Sequence, residues 1–97
     1  MAEHAAVVRI IRFQPADGKH DELIARLEEG AVQIRQLDGC FGVQICTIRE
    51  SPGLVAAISR WASQAALDRF LDSSASQRAE LGRLATGQAS TEHFTPV

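Results

Sequence analysis

The 97-residue sequence lacks most of the features that assign a protein to a compartment. No segment approaches the run of ~20 apolar residues that a membrane-spanning helix requires. Residues 1–4 have neither the basic start nor the apolar core of a secretory signal. We therefore expect a cytoplasmic protein with no membrane partner.

Positive charge and cysteine are also scarce. Ten basic side chains stand against twelve acidic ones, which gives a formal net charge of −2. A nucleic-acid-binding domain usually carries clustered positive charge, so we expect no nucleic-acid partner. The only cysteines, Cys40 and Cys46, fall in one predicted strand. Their separation of about 20 Å there exceeds the roughly 7 Å that a disulfide allows between α-carbons, so reduced thiols are expected.

Common catalytic and cofactor motifs are missing as well. The sequence contains no GxGxxG, GxxxxGK(S/T), CxxC or HExxH pattern. Its histidines, His4, His20 and His93, lie in three different predicted segments and do not share a metal-binding spacing. We predict no metal site.

Hydrophobic periodicity is present throughout the chain. Alternating and apolar runs predict strands at residues 5–14, 40–50, 54–62 and 89–97. A helical stripe predicts a first helix with Asp17 as its N-cap, running to about Leu37. The segment Ser51-Pro52-Gly53 is predicted to be a three-residue hairpin loop between the second and third strands.

The second helical region is predicted to have two parts. Ser63 is the expected N-cap of the first part, and a serine-rich stretch at residues 72–76 interrupts it. Ser74 and Gln77 have the spacing of a capping box, which predicts that a short helix restarts there.

Alternation along the strands divides each of them into two faces. In the first strand, one face is predicted to hold Val7, Arg9, Ile11 and Phe13, and the other Val8, Ile10, Arg12 and Gln14. In the second strand, one face is predicted to hold Phe41, Val43, Ile45, Thr47 and Arg49, and the other Cys40, Gln44, Cys46 and Ile48.

The order strand, helix, strand, strand, helix, strand predicts an α+β fold of the ferredoxin-like βαββαβ type, with residues 1–97 as a single domain. Its four-stranded antiparallel sheet would carry both helical regions on one face. The other face would expose more apolar surface than a monomer usually shows to water, so we predict a two-fold homodimer. The pattern leaves open whether the last strand pairs within the chain or across the dimer.

The candidate site residues lie at the ends of the strands and on the second helix. Trp61 ends the third strand and is predicted to line a cavity between sheet and helices, where an aromatic substrate can stack; packing in the core or at an interface is the alternative. The strand polars that can reach such a cavity, or instead lie at a rim or interface, are Arg12, Gln14, Gln44, Arg49 and Arg60. We predict Trp61, Arg12 and Arg60 as catalytic residues, and Gln44, Gln14, His93 and Phe70 as substrate-binding residues.

The chain resembles the antibiotic biosynthesis monooxygenase family of dimeric α+β barrel proteins. The resemblance rests on the apolar first strand and on residues 15–19 (PADGK), 38–40 (DGC), 60–67 (RWASQAAL) and 93–97 (HFTPV). Its most specific element is the Trp-x-Ser-x-x-Ala-Leu pattern that begins at Trp61. The family resemblance implies a homodimer with a small cavity in each subunit. It also implies cofactor-independent oxygenation of a polyphenolic or quinol-like aromatic, although a flavin from a partner reductase stays open.

The resemblance carries over site residues only in part. Trp61 matches the quinone-forming members of the family, but their Asn and Tyr correspond to Ala57 and Leu67 here. Arg83 lies near the position of a helical arginine. The axial histidine of the haem-degrading branch falls near Glu80, so haem cleavage is not expected. The alternative to an enzyme is a non-catalytic, dimeric small-molecule binding or stress-related module on the same fold.

Overall fold

The computed structural model describes residues 4–87 and 89–97. These residues form four strands, three α-helices and a 3₁₀ turn. The strands are β1 (Val7–Phe13), β2 (Cys40–Ile48), β3 (Ser51–Trp61) and β4 (Ser90–Phe94). The helices are α1 (His20–Ile34), α2 (Gln64–Ser73) and α3 (Ala75–Leu81), and the 3₁₀ turn at Gly82–Leu84 follows α3.

The four strands form one antiparallel sheet in the order β2-β3-β1-β4. The predicted ferredoxin-like α+β fold is confirmed, and β4 pairs with β1 of the same chain. The helices pack on one side of the sheet, which we call the covered face; the opposite side is the open face. Strand register assigns Val7, Arg9, Ile11 and Phe13 to the covered face, together with Val55, Ala57, Ser59 and Trp61 of β3.

The core on the covered face consists of two apolar clusters. One contains Phe13, Leu23, Leu27, Val55 and Leu84. The other contains Val7, Trp61, Ala66 and Leu67. Along β1, Arg9 lies between Val7 of one cluster and Phe13 of the other, so a charged residue separates the two halves of the core.

Helix α1 begins later and ends earlier than the sequence predicts. Gly18 has a positive φ of 73°, and the residue that caps the helix is Lys19 rather than Asp17. The helix ends at Ile34, where Arg35 turns away and donates two hydrogen bonds to the carbonyl oxygen of Val43, at 3.1 and 2.8 Å. Leu37 therefore lies in the following turn and is 41% exposed.

The β2–β3 hairpin also differs from the prediction. Residues Arg49 and Glu50 form the turn, and β3 already begins at Ser51, which pairs with Ile48. A register shift between Cys40 and Gly42 pairs Cys40 with Trp61. Because this bulge adds one residue, Cys40 packs against the cluster on the covered face, where alternation alone predicted Phe41.

The caps of the second helical region are confirmed in one place and corrected in another. The Ser63 hydroxyl accepts a hydrogen bond from the backbone N–H of Ala66, as an N-cap should. Helix α3 does restart after Ser74, but the predicted capping box does not form. The Ser74 hydroxyl instead accepts from Nε of Arg78 at 3.2 Å.

Gly39 joins α1 to β2 at a close contact. Its φ is 83°, and a Cβ built at this position would lie 2.6 Å from the Cβ of Ala66 in the first turn of α2. Glycine is therefore required here by both backbone conformation and space.

The open face is apolar at its centre and polar at its margins. Register places Val8, Ile10, Cys46, Ala56 and Ile58 side by side on it. Arg12 forms an ion pair with Glu92 of β4 at one margin, and Phe94 is 43% exposed at another.

Candidate active site

Trp61 is buried completely beneath the helices. Its indole stacks on Phe70 of α2, with ring centroids 5.1 Å apart and an interplanar angle of 21°. Its Nε1 donates a hydrogen bond of 2.9 Å to the hydroxyl of Ser59. Both the ring face and the polar tip of Trp61 are therefore occupied by protein, and the indole supports Phe70 from behind.

A cavity of about 340 Å³ lies between α1 on one side and α2 and α3 on the other. Its apolar lining comes from both helical layers and includes Leu27, Ile34, Phe70 and Leu81. Leu27 and Leu81 belong to or pack against one core cluster, whereas Ile34 and Phe70 pack against the other. The cavity therefore lies above the boundary between the two clusters.

The cavity has a polar wall formed by α3 and the end of α2. Arg78 lines this wall and is held in place by two hydrogen bonds, one to the hydroxyl of Ser74 and one of 2.6 Å to the carbonyl oxygen of Leu71. Ser74 is itself buried. Both acceptors are neutral, so these hydrogen bonds hold the guanidinium in place without pairing its positive charge with a negative one.

The carboxylates at the cavity are paired with a different arginine. Arg26 of α1 lies 3.7 Å from Glu29 and 2.8 Å from Glu80 of α3. The exposed pair between Arg26 and Glu80 joins α1 to α3 across the cavity, whereas the pair between Arg26 and Glu29 lies within α1. Within residues 4–87 and 89–97, neither Glu29 nor Glu80 pairs with Arg78.

Arg9 lies on the sheet beneath the helical layer. Only 9% of the residue is exposed, and its Nε has no hydrogen-bond partner among the described residues. Burial is the main cause that lowers the pKa of Arg9, and the nearby positive charge of Arg78 lowers it further.

The comparisons with known proteins agree with this architecture. The family model for antibiotic biosynthesis monooxygenases matches residues 6–80. The chain belongs to this family. The resemblance stated from the sequence is thereby confirmed, and members of the family commonly dimerise.

Solved structures share the fold over nearly the whole chain. This antibiotic biosynthesis monooxygenase family member is 27% identical to Rv0793 from Mycobacterium tuberculosis. The TM-score of the two structures is 0.85, and the alignment covers 94% of each chain. A candidate antibiotic biosynthesis monooxygenase from Deinococcus radiodurans is 17% identical, with a TM-score of 0.84 and coverage of 94% of this chain and 92% of that one. PA3566 from Pseudomonas aeruginosa is 18% identical, with a TM-score of 0.80 and coverage of 100% and 99%. The sequence matches no curated protein.

The seven residues predicted for the site of this family member fall on both sides of the sheet. Trp61 and Phe70 are together on the covered face. His93 is exposed on edge strand β4, where it is the Cα partner of Arg9. The other four predicted residues are polar and were expected to reach the same cavity. They lie instead on the open face or at the end of β1, and are Arg12, Gln14, Gln44 and Arg60.

Arg60 lines a second, shallower cavity on the open face. This cavity measures about 550 Å³ and is bounded by Ala5, Val8, Phe41 and Pro96 as well as by Arg60. The sheet separates it from the stacked pair of Trp61 and Phe70. The predicted residues therefore do not converge on one centre, because alternation sends neighbouring positions of a strand to opposite faces.

Sequence reasoning missed two residues of the covered face. Arg78, and not Arg83, is the helical arginine that lines the cavity between the helices. Arg9 carried a signal in the sequence, because it is the one charged residue on the alternating face formed with Val7, Ile11 and Phe13.

Two further features of the described residues bear on function. No group of three or more histidine, cysteine or acidic side chains is arranged to hold a metal ion in this part of the chain. None of the helices that the structure describes is both long enough and apolar enough to cross a membrane.

Proposed function

We propose that this protein is a cofactor-independent monooxygenase that oxidises a small polyphenol or quinol-like aromatic in the cavity between α1 and α2–α3. The observation that carries the proposal is a cavity with an aromatic wall, Phe70 backed by Trp61, next to a fixed arginine, Arg78. Its volume of about 340 Å³ lies at the lower end of the range for small-molecule sites.

The proposed reaction uses the substrate as its own reductant. A hydroxyl group on the aromatic ring loses its proton, and the resulting electron-rich anion donates electrons to O₂. One oxygen atom becomes a new carbonyl on the ring, and the other leaves as water. For 1-naphthol the balance is C₁₀H₈O + O₂ → C₁₀H₆O₂ + H₂O, in which the substrate supplies all four electrons.

The residues of the cavity supply position and charge for this chemistry. Phe70 offers a flat apolar surface against which a substrate ring stacks. Leu27, Ile34 and Leu81 limit access of water to the ring, which strengthens electrostatic interactions inside. Arg78 would stabilise the negative charge that develops on the substrate oxygen.

We further infer that a second copy of the chain covers the open face. The apolar centre formed by Val8, Ile10, Ala56 and Ile58 supports this, because stacking two such sheets would bury it. In this arrangement the open-face residues Arg12, Gln44 and Arg60 would lie at the subunit interface, and any role in binding would involve both subunits.

The experiment that tests the proposed activity is oxygen uptake with a panel of naphthols and anthrones. We expect one or more substrates to be oxidised faster than in buffer, with incorporation of one atom from ¹⁸O₂. Phe70→Leu and Arg78→Gln are expected to reduce the rate at least tenfold, whereas Arg69→Gln on the exposed surface of α2 is the matched control. The absence of any rate above buffer across the panel would refute the enzyme.

A second function is favoured by the residues at two positions, four before and six after Trp61 in the sequence. Where the resemblance expects an Asn and a Tyr, the structure has Ala57 and a completely buried Leu67, neither of which can donate or accept a proton. We therefore retain the alternative of a non-catalytic, dimeric small-molecule binding or stress-related module. Calorimetric binding of panel compounds without oxygen uptake would favour this alternative over the monooxygenase.

A further inference from the structure

Ser59 makes a buried polar contact on the covered face of β3. Only 7% of the residue is exposed. Its hydroxyl accepts the 2.9 Å hydrogen bond from Nε1 of Trp61, which lies two positions further along the strand and therefore on the same face of the sheet. An indole has one N–H and no acceptor, so this hydrogen bond satisfies the polar group of the Trp61 side chain.

The apolar contacts of Trp61 hold the position of its ring more than its angle. Besides Phe70, its cluster includes the aliphatic residues Val7, Ala66 and Leu67. Apolar contacts of this kind are non-directional, whereas a hydrogen bond weakens steeply as its angle departs from linear. The bond to Ser59 is therefore the directional restraint on the indole.

Neither Cα partner of Ser59 can replace its hydroxyl as the acceptor. Strand pairing places Arg9 of β1 on one side of Ser59 and Val43 of β2 on the other. A guanidinium group only donates hydrogen bonds, and the valine side chain has no polar atom. Loss of the Ser59 hydroxyl would thus leave a buried indole N–H without its acceptor, and the ring would have to tilt to find another.

Phe70 connects the orientation of Trp61 to the cavity. The two rings stack with their centroids 5.1 Å apart, and Phe70 lines the cavity between the helices. The hydroxyl of Ser73 donates a hydrogen bond of 3.1 Å to the carbonyl oxygen of Phe70, which holds the backbone in the last turn of α2. With the backbone held, the Phe70 ring keeps only the freedom of its side-chain torsions, and the indole restricts these.

We propose that Ser59 is a positioning residue for the aromatic wall of the cavity. Its hydroxyl holds the indole of Trp61 at a fixed angle, and the indole in turn holds the Phe70 ring in the orientation on which a flat aromatic ligand stacks. The inference rests on the proposed function and deepens it, because it assigns the selection of aromatic over saturated rings to a residue outside the cavity lining.

Nuclear magnetic resonance of the indole N–H tests the first step of this arrangement. The chain has one tryptophan, so a ¹⁵N-labelled sample gives a single indole signal. In Ser59→Ala this signal should move upfield, and its proton should exchange faster with water, because the hydrogen bond is lost. Ser59→Thr keeps the hydroxyl, and Ser51→Ala removes an exposed hydroxyl from the same strand, so both should leave the signal in place.

Isothermal titration calorimetry in oxygen-free buffer tests the effect on the cavity, with 2-naphthol and its saturated analogue decahydro-2-naphthol as probes. The wild type should bind 2-naphthol about two- to tenfold more tightly, as the strength of aromatic stacking implies. Ser59→Ala should lose most of this preference, whereas Ser59→Thr and the matched control Ser51→Ala should retain it. Ser59→Cys, a weaker acceptor of similar size, provides the same comparison if Ser59→Ala does not fold.

A double-mutant cycle with Trp61→Phe separates positioning from a general loosening of the core. Phenylalanine keeps an aromatic ring but has no N–H, so Ser59→Ala should not change the preference further in this background. Circular dichroism establishes that each variant is folded. The proposal would be overturned by an unchanged indole signal in Ser59→Ala, by equal affinity of the wild type for the two probes, or by an equal effect of Ser59→Ala in both backgrounds.

The outcome for Ser59 is separable from the outcome for the proposed function. A preference for 2-naphthol that depends on Ser59, without oxidation of any panel substrate, would support the positioning role and refute the monooxygenase. Oxidation of naphthols at the same rate, and with the same preference between the two probes, in the wild type and Ser59→Ala would support the monooxygenase and refute the positioning role.

Discussion

Replacing Arg9 with methionine should stabilise the ligand-free protein. Only 9% of Arg9 is exposed, and its Nε has no partner among the described residues. Methionine retains most of the apolar stem and removes the charge. Since a buried unsatisfied polar group costs roughly 1–3 kcal/mol, we expect a gain of at least about 1 kcal/mol.

This gain is measurable as a melting temperature. For a domain of this size, 1 kcal/mol corresponds to a rise of about 4–8 °C. Changing the pH does not substitute for the mutation. Because the pKa of Arg9 is lowered in the folded state, stability would increase only as the pH rises toward the pKa of arginine, far above neutrality.

Differential scanning calorimetry measures this shift, and Arg69→Met on the exposed surface of α2 serves as the control. A melting temperature of Arg9→Met that is lower than that of the wild type would refute the reasoning.

Three other predictions follow from the packing. Ile58→Asp on the open face should convert the dimer into a monomer, as measured by light scattering. Val32→Asp, at an exposed position of α1, should leave the dimer intact. A monomeric wild type would contradict the proposed dimer. Gly39→Ala should lower the free energy of unfolding by more than ~1 kcal/mol, because Gly39 has a positive φ and an added Cβ would clash with α2. Gly30→Ala should raise the free energy of unfolding by roughly 0.5–1 kcal/mol, because an added Cβ there meets open space. Urea denaturation measures both changes. Burial raises the pKa of the Cys40 thiol, so iodoacetamide should begin to alkylate Cys40 rapidly only at a higher pH than it alkylates a model thiol. Mass spectrometry measures the alkylation rate at each pH. The same pH dependence for Cys40 and the model thiol would contradict the effect of burial.

Most of the fold could be predicted from local sequence signals. Period-two alternation assigned Val7 and Phe13 to one face of β1, and the Ser63 cap marked the start of α2, because both depend on neighbouring residues alone. The bulge at Cys40 could not be predicted, since an extra residue in a strand depends on how its partner strand packs. The late start of α1 was missed because Gly18 adopts a positive φ after Asp17.

The candidate site was less predictable because it depends on which face the helices cover. Arg12 and Gln44 were placed with Trp61 by their polarity, although β-strand parity separates them from it. Arg78 reaches the cavity only because α2 and α3 are joined by the break at Ser74, whose hydroxyl then holds the guanidinium. Such contacts between helices have no short sequence signature.

The stacking of Trp61 on Phe70 also has a practical consequence. The chain has one tryptophan and no tyrosine, so its near-ultraviolet emission originates from a single indole. This indole is shielded from solvent, and its ring partner forms part of the cavity lining. A molecule that displaces or tilts Phe70 would alter the surroundings of the indole, so the native protein carries an intrinsic optical reporter of cavity occupancy that needs no added label.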